Sequence, residues 1–328
     1  MRGINILSLT VFTAGAIALA GASSAIAQVC LTCGSGSMGA FHATSNTTLP
    51  GGSYDYTTFE IDPGVTVTVT GPNPLVIAAT GAVTINGNLV ADGGVGGNGV
   101  TSSNAGLGAA GTAGGAQGGD GAYSDSTGPL PGGAGGGAGG GGAGDGWSGG
   151  GGAGYGEDGR SSGGVGGAAG LAYGSPDIPL LIGGSGGGGG SGGYSCGGGG
   201  GGAGGGAIMI RSCTSILIGA SARMSTNGGA GGSDGTGNCG GGGGASGGSI
   251  VLDTRSLTID GSVSSLGGTG GASAVPGDPY YGVGADGGKG RVLFETALGT
   301  TTGSGSVDPA AKLNVCPFDR IFADGFEP

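Results

Sequence analysis

Apolar and polar residues alternate along this chain in short runs that look alike. The segment from Leu75 reads LVIAATGAVTINGNLVADGG, that from Ala207 reads AIMIRSCTSILIGASARMSTNGG, and that from Ser249 reads SIVLDTRSLTIDGSVSSLGG. Alternation at period two marks strands with one buried face. In each segment an apolar group, Val76-Ile77, Ile208 to Ile210 or Ile250 to Leu252, precedes a second pair: Val83 and Ile85, Ile216 and Ile218, or Leu257 and Ile259. A third short strand, at Leu89, Ala222 or Val263, comes before a Gly-Gly stop. Units of about 20 residues cannot hold a core alone, whereas stacked units bury a continuous column. The pattern predicts an all-β fold, a short right-handed parallel β-helix (solenoid). The right hand follows from the chirality of crossovers between right-twisted parallel strands. Ile77, Ile210 and Leu252, with Ile85, Ile218 and Ile259, are expected to point inward, and Leu217 outward.

Glycine separates these units. The chain carries 97 Gly among 328 residues, about four times the usual fraction, and its tracts fall at 93–206, 228–248 and 267–290. First solenoid coils are therefore placed at 59–92, a Gly-rich insertion at 93–206, and the remaining coils at 207–296. Val65, Val67 and Val69, and Val292-Leu293-Phe294, read as partial coils at the two ends. An N-terminal segment spans 28–58 and a C-terminal tail 297–328. A run such as 197–206 has almost no side chain to bury, and glycine loses the most backbone entropy on ordering. Either the insertions are polyglycine-II-like bundles, whose bare backbones approach closely and exchange hydrogen bonds, or they are flexible linkers. A collagen helix is excluded by only 13 Pro and by the broken Gly period of 132–144. Because repeat proteins bind through loops inserted on one face, the 93–206 insertion is expected to carry recognition.

The start of the chain changes the picture of where it works. Arg2, an apolar run from Ile4 to Ala20 and the triplet Ala25-Ile26-Ala27 have the form of a secretory signal peptide over 1–27. The protein is expected to be secreted, extracellular or at the cell surface, with no membrane span after the signal. In an oxidising compartment Cys30, Cys33, Cys196, Cys213, Cys239 and Cys316 read as disulfide candidates. Cys196 and Cys239 each stand just before a glycine run, so they are expected to pair across neighbouring coils. Cys30 and Cys33 suit a local disulfide, and Cys213 is assigned Cys316.

The three aligned segments, together with GVTVTVTGPNP before them, resemble glycine-rich secreted β-helix proteins of Gram-negative bacteria over residues 59–296. That resemblance implies an adhesin-like or cell-envelope role and carries over no catalytic residue. The tail from Phe318 to Glu327 resembles a terminal segment found on diverse exported bacterial proteins.

Charge and candidate chemistry narrow the function further. With 9 Lys and Arg against 20 Asp and Glu, a net charge of -11 is unsuited to nucleic acid. GxGxxG recurs only because glycine is abundant, and the surroundings of Lys289 fail the phosphate-loop pattern. The single histidine, His42, reads as a solvated or capping residue, so no catalytic, metal or cofactor site is assigned. GGSDGTGN at 231–238 and GADGGKG at 284–290 approach calcium-binding repeats without their period. Asp92, Asp120, Asp145 and Asp234 read instead as turn carboxylates. Tyr123, Trp147, Tyr155, Tyr173, Tyr194, Tyr280 and Tyr281 lie in or beside the insertions, where rings offer flat platforms to glycans or cell-surface components, or else pin the loops. A secreted non-enzymatic adhesin-like protein is expected. Two alternatives are an ice- or crystal-binding protein, whose Thr row is broken at Thr84, Leu217, Thr258, and a β-helical polysaccharide lyase or hydrolase.

Overall fold

A computed structural model of the chain describes residues 34–101, 104–123, 128–163, 166–194, 196–234, 239–273 and 282–315. The signal-like stretch 1–27, Cys30, Cys33, Tyr280, Tyr281, Cys316 and the 318–327 tail lie outside them. The described chain is all-β. Its first strands are β1 (Phe41–Ala43), β2 (Thr47–Tyr56), β3 (Phe59–Ile61), β4 (Thr66–Ala79), β5 (Val83–Ile85) and β6 (Asn88–Val90). After the long insertion come β7 (Ala207–Ile218), β8 (Arg223–Ser225), β9 (Ser249–Ile259) and β10 (Ser262–Ser264). β11 (Arg291–Thr296), β12 (Ser306–Asp308) and β13 (Lys312–Val315) complete the set.

These strands pair in parallel as one large sheet, not closed into a barrel. The pairings sort into ladders. One joins β1, β3, β5 and the ends of β7 and β9, stacking Ala43, Ile61, Ile85, Ile218 and Ile259. A second joins the starts of β2 and β4 to β6, β8, β10 and β12, stacking Val67, Leu89, Met224, Val263 and Val307. A third joins the ends of β2 and β4 to β7, β9, β11 and β13, stacking Ile77, Ile210, Leu252 and Phe294. All of these residues except Val307 are buried in one apolar cluster, against which Val307 packs. The alternation in the sequence thus becomes a core because each inward residue rests on its counterpart one rung away. The expected inward sets, Ile77 with Ile210 and Leu252 and Ile85 with Ile218 and Ile259, share their rungs as read.

Two expectations are corrected. Met224, not Ala222, is the partner of Leu89 and Val263, because Ala222 closes a tight turn by donating its N–H to Gly219 O at 2.8 Å. The stack also extends at both ends: β1 and β2 lie in the 28–58 segment, and β12 and β13 in the 297–328 tail.

All three glycine tracts fall at the same corner in the strand order, the passage from one ladder to the next. The chain passes from the second ladder to the third between Val90 and Ala207, between Ser225 and Ser249, and between Ser264 and Arg291. In the neighbouring rungs the same passage is short, within β4 or from Asp308 to Lys312. Beyond that corner the tracts are knit together. In the 197–206 run, Gly199, Gly202 and Gly205 donate to Gly240, Gly243 and Ser246 at 2.9–3.0 Å. Gly198, Gly201 and Gly204 donate to Ala122, Gly119 and Ala116 at 2.8 Å, and Gly200, Ala203 and Gly206 to Gly97, Gly94 and Ala91 at 2.7–2.9 Å. Each third residue therefore faces the same neighbour. Glycine is required by this approach: a Cβ at Gly186, Gly187 or Gly188 would run into the carbonyl of Gln117, Gly243 or Gly142. The flexible-linker alternative does not describe these segments, whose backbone groups are bonded to one another.

Candidate functional site

The aromatic residues of the insertions divide by where their run turns. Tyr155 and Tyr173 lie at the base, against the third ladder. The Tyr155 side chain is buried, and its hydroxyl lies 2.9 Å from Ser249 Oγ. The Tyr173 hydroxyl lies 3.0 Å from Ser185 Oγ, and the two rings pack at 5.0 Å between centroids. Arg291 of β11 donates to the carbonyls of Tyr155 and Tyr173 at 3.3 and 2.8 Å, with its guanidinium 5.4 Å from the Tyr155 ring centroid. Burial pushes both phenols above their usual pKa, which favours the neutral form that hydrogen-bonds here. Tyr155 presents no ring to solvent; it anchors the excursion.

The Pro-broken stretch around Pro176 and Pro179 belongs to the same anchor. Ile178 is buried against Val251 and Leu293, with Leu181 and Met209 packed alongside. Asp177 is bonded to Lys312, the largest cause of its lowered pKa, and accepts from Asn314 Nδ2 at 3.2 Å. Only Leu180 of the Leu180-Leu181-Ile182 group is strongly exposed.

Tyr123, Trp147 and Tyr194 lie at the opposite end, where runs reverse direction away from the ladders. Trp147 and Tyr194 face each other at 6.2 Å between ring centroids, and Tyr123 and Tyr194 are exposed. A Cβ on Gly192 would touch the Tyr123 carbonyl, placing Tyr123 beside the run that carries Tyr194. The Trp147 turn is fixed from several sides. Its backbone is left-handed, with φ 69°, a costly conformation for a bulky residue that surrounding contacts must hold. Asp145 accepts from Gly146 N at 2.8 Å through its carboxylate and from Ser148 N at 3.1 Å through its carbonyl. Gly282 donates to Trp147 O at 3.0 Å, and the Ser191 hydroxyl to Ser148 O at 3.0 Å. Nearby, Cys196 and Cys239 form the expected disulfide, with Cα atoms 6.1 Å apart. Cys213 is disulfide-bonded as well.

The acidic residues of the insertions mostly complete the hydrogen bonding of the outer runs. Asp92 accepts from Asn227 N at 2.7 Å and Asp120 from Gly108 N at 2.8 Å. Asp286 accepts from Gly270 N at 2.9 Å, and Asp234 from Cys239 N at 3.2 Å. Asp92 and Asp120 thus cap a neighbouring run, where the sequence suggested a local turn. In the calcium-like segments Asp286 likewise bonds a neighbouring run, whereas Asp234 bonds locally, five residues on.

On the outer face of the first ladder, sequence reasoning missed a cluster. His42 and Glu60 are rung partners, Asp62 follows on the same face, and His42 Nε2 lies 2.8 Å from Asp62 Oδ1. That bond raises the His42 pKa. Among the described residues these three are the group that could hold a metal ion; β1 is too short for its alternation to have revealed the pairing. Among the described residues, too, no helix is long and apolar enough to cross a membrane. No family model, curated protein or solved structure matches the chain.

Proposed function

We propose that this is a secreted, cell-surface-directed adhesin-like protein that binds glycans without catalysis. In this reading the ladders are the faces of a short right-handed parallel β-helix, and the insertions form a polyglycine-II lattice mounted on one corner. The lattice holds its far-end loops as a rigid binding surface. The observation that carries the reading is the division of the aromatic residues: Tyr155 and Tyr173 are spent on the base, while Trp147 and Tyr194 meet at the far end from separate runs and Tyr123 is exposed on a third run beside them. Rings held by backbone bonds lose little entropy on binding, and each offers an apolar face to a sugar ring with a polar edge beside it. An ice-binding face draws no comparable support, since the outward row of the first ladder runs His42, Glu60, Thr84, Leu217, Thr258.

A glycan-array screen of the protein against Trp147→Ala and Tyr194→Ala variants tests this. Each variant should retain the parental melting temperature and lose about tenfold in affinity for the bound glycan class. An unchanged array profile in both variants would remove recognition from the far end.

A further inference from the structure

We infer that His42, Glu60 and Asp62 form a binding site for a divalent transition-metal ion of the zinc or manganese class. It lies on the outer face of the first ladder and is independent of the glycan reading. The parallel register places His42 directly across from Glu60, and the strand alternation returns Asp62 to the same face. Neither spacing depends on a mobile loop: Asp62 N donates to Ala43 O at 3.0 Å, and Val65 N to Asp62 O at 3.1 Å.

The imidazole is already turned toward the carboxylates, with Nε2 2.8 Å from Asp62 Oδ1, and the candidate ligand atoms of the three residues all lie within 4.8 Å of one another. Donors bound to one ion at about 2.0–2.2 Å in tetrahedral geometry stand about 3.4 Å apart, so small rotations of exposed side chains complete the set. One imidazole and two carboxylates suit a borderline ion, and the nitrogen donor disfavours calcium and magnesium, which take oxygen ligands. Binding at Nε2 displaces its hydrogen bond to Asp62; a neutral imidazole keeps its proton on Nδ1, and an imidazolium releases its second proton to solvent. The remaining coordination positions face water, and the next rung carries the neutral Thr84.

Titration calorimetry of the chelator-stripped protein with zinc chloride under non-reducing conditions tests the site, with manganese and calcium chlorides in parallel. Zinc should bind at one equivalent, and His42→Ala and Glu60→Gln should each weaken it at least tenfold, while Thr84→Ala leaves it unchanged. Calcium should bind at least tenfold more weakly than zinc. The imidazole resonances of His42, the single histidine, should shift on saturation. Absence of stoichiometric zinc binding, or binding that survives His42→Ala, would reduce the cluster to a surface ion pair and overturn the inference.

Discussion

Ile218 and Leu217 are neighbours in sequence on opposite sides of a strand, and the contrast tests the core. Ile218 is fully buried between Ile85 and Ile259. Placing a carboxylate there leaves an unpaired buried charge, so Ile218→Asp should lower unfolding stability by about 3–5 kcal/mol. Leu217→Asp, facing outward, should cost less than about 1 kcal/mol; denaturant unfolding of the two variants measures the difference. Asp55 tests the polar side. Its carboxylate accepts from the Ser35 hydroxyl at 2.6 Å, Ser35 N at 3.0 Å and Gly36 N at 2.8 Å, which holds its pKa well below the usual carboxylate range, the Ser35 hydroxyl contributing most. A lowered folded-state pKa means that the stabilisation is present above the unfolded value and is lost as pH falls through the folded one. Exchange protection at Ser35 and Gly36 should therefore hold above about pH 5 and fall progressively below about pH 4, and Asp55→Asn should show little of that change. The outward-inward parity of Ile218 was legible in the sequence from alternation alone. The partners of Asp55 were not, because nothing local links it to residues about twenty positions earlier.

At the scale of the element, parity has its own limit. Ala222 and Met224 share the same parity, so alternation cannot choose between them; the hydrogen-bonded turn at Gly219 does. β2 contains Pro50, Gly51 and Gly52 within its TTLPGGSYDY, and β12 and β13 have only three and four residues, so neither end of the stack announces itself. The glycine runs were legible as a composition and as an ordered alternative, but a run without side chains carries no mark of its neighbours. Their packing can still be probed by single methyl groups. A Cβ at Gly202 would strike the Gly229 carbonyl, whereas one at Gly94 would meet the Ala109 methyl at 3.4 Å. Gly202→Ala should lower stability by about 1–3 kcal/mol, because backbone cannot yield as a side chain can, and Gly94→Ala should be near neutral. Thermal melts of both variants decide it.

For the whole molecule, the long insertion is not a detachable appendage. The 197–206 run accepts hydrogen bonds from Gly229 and Gly232 and donates to Gly240, Gly243 and Ser246, so later excursions complete their bonding on it. Ala113 of the same insertion is part of the main apolar cluster. Joining Gly93 to Gly205 should therefore leave the ladders β-rich by circular dichroism while amide protection at Gly229 and Gly232 collapses, as hydrogen exchange would record. The sequence placed the insertions on one side and left this mutual dependence hidden, since it resides in backbone carbonyls that every residue possesses. The shared corner has a mechanical consequence. A pull applied at the Trp147 end runs along the glycine runs toward the corner, across rows such as Gly184, Gly187 and Gly190 bonded to Gly205, Gly202 and Gly199. Those bonds lie side by side across the direction of pull and are loaded in shear. Neighbouring runs share the tension, and none is peeled away one bond at a time.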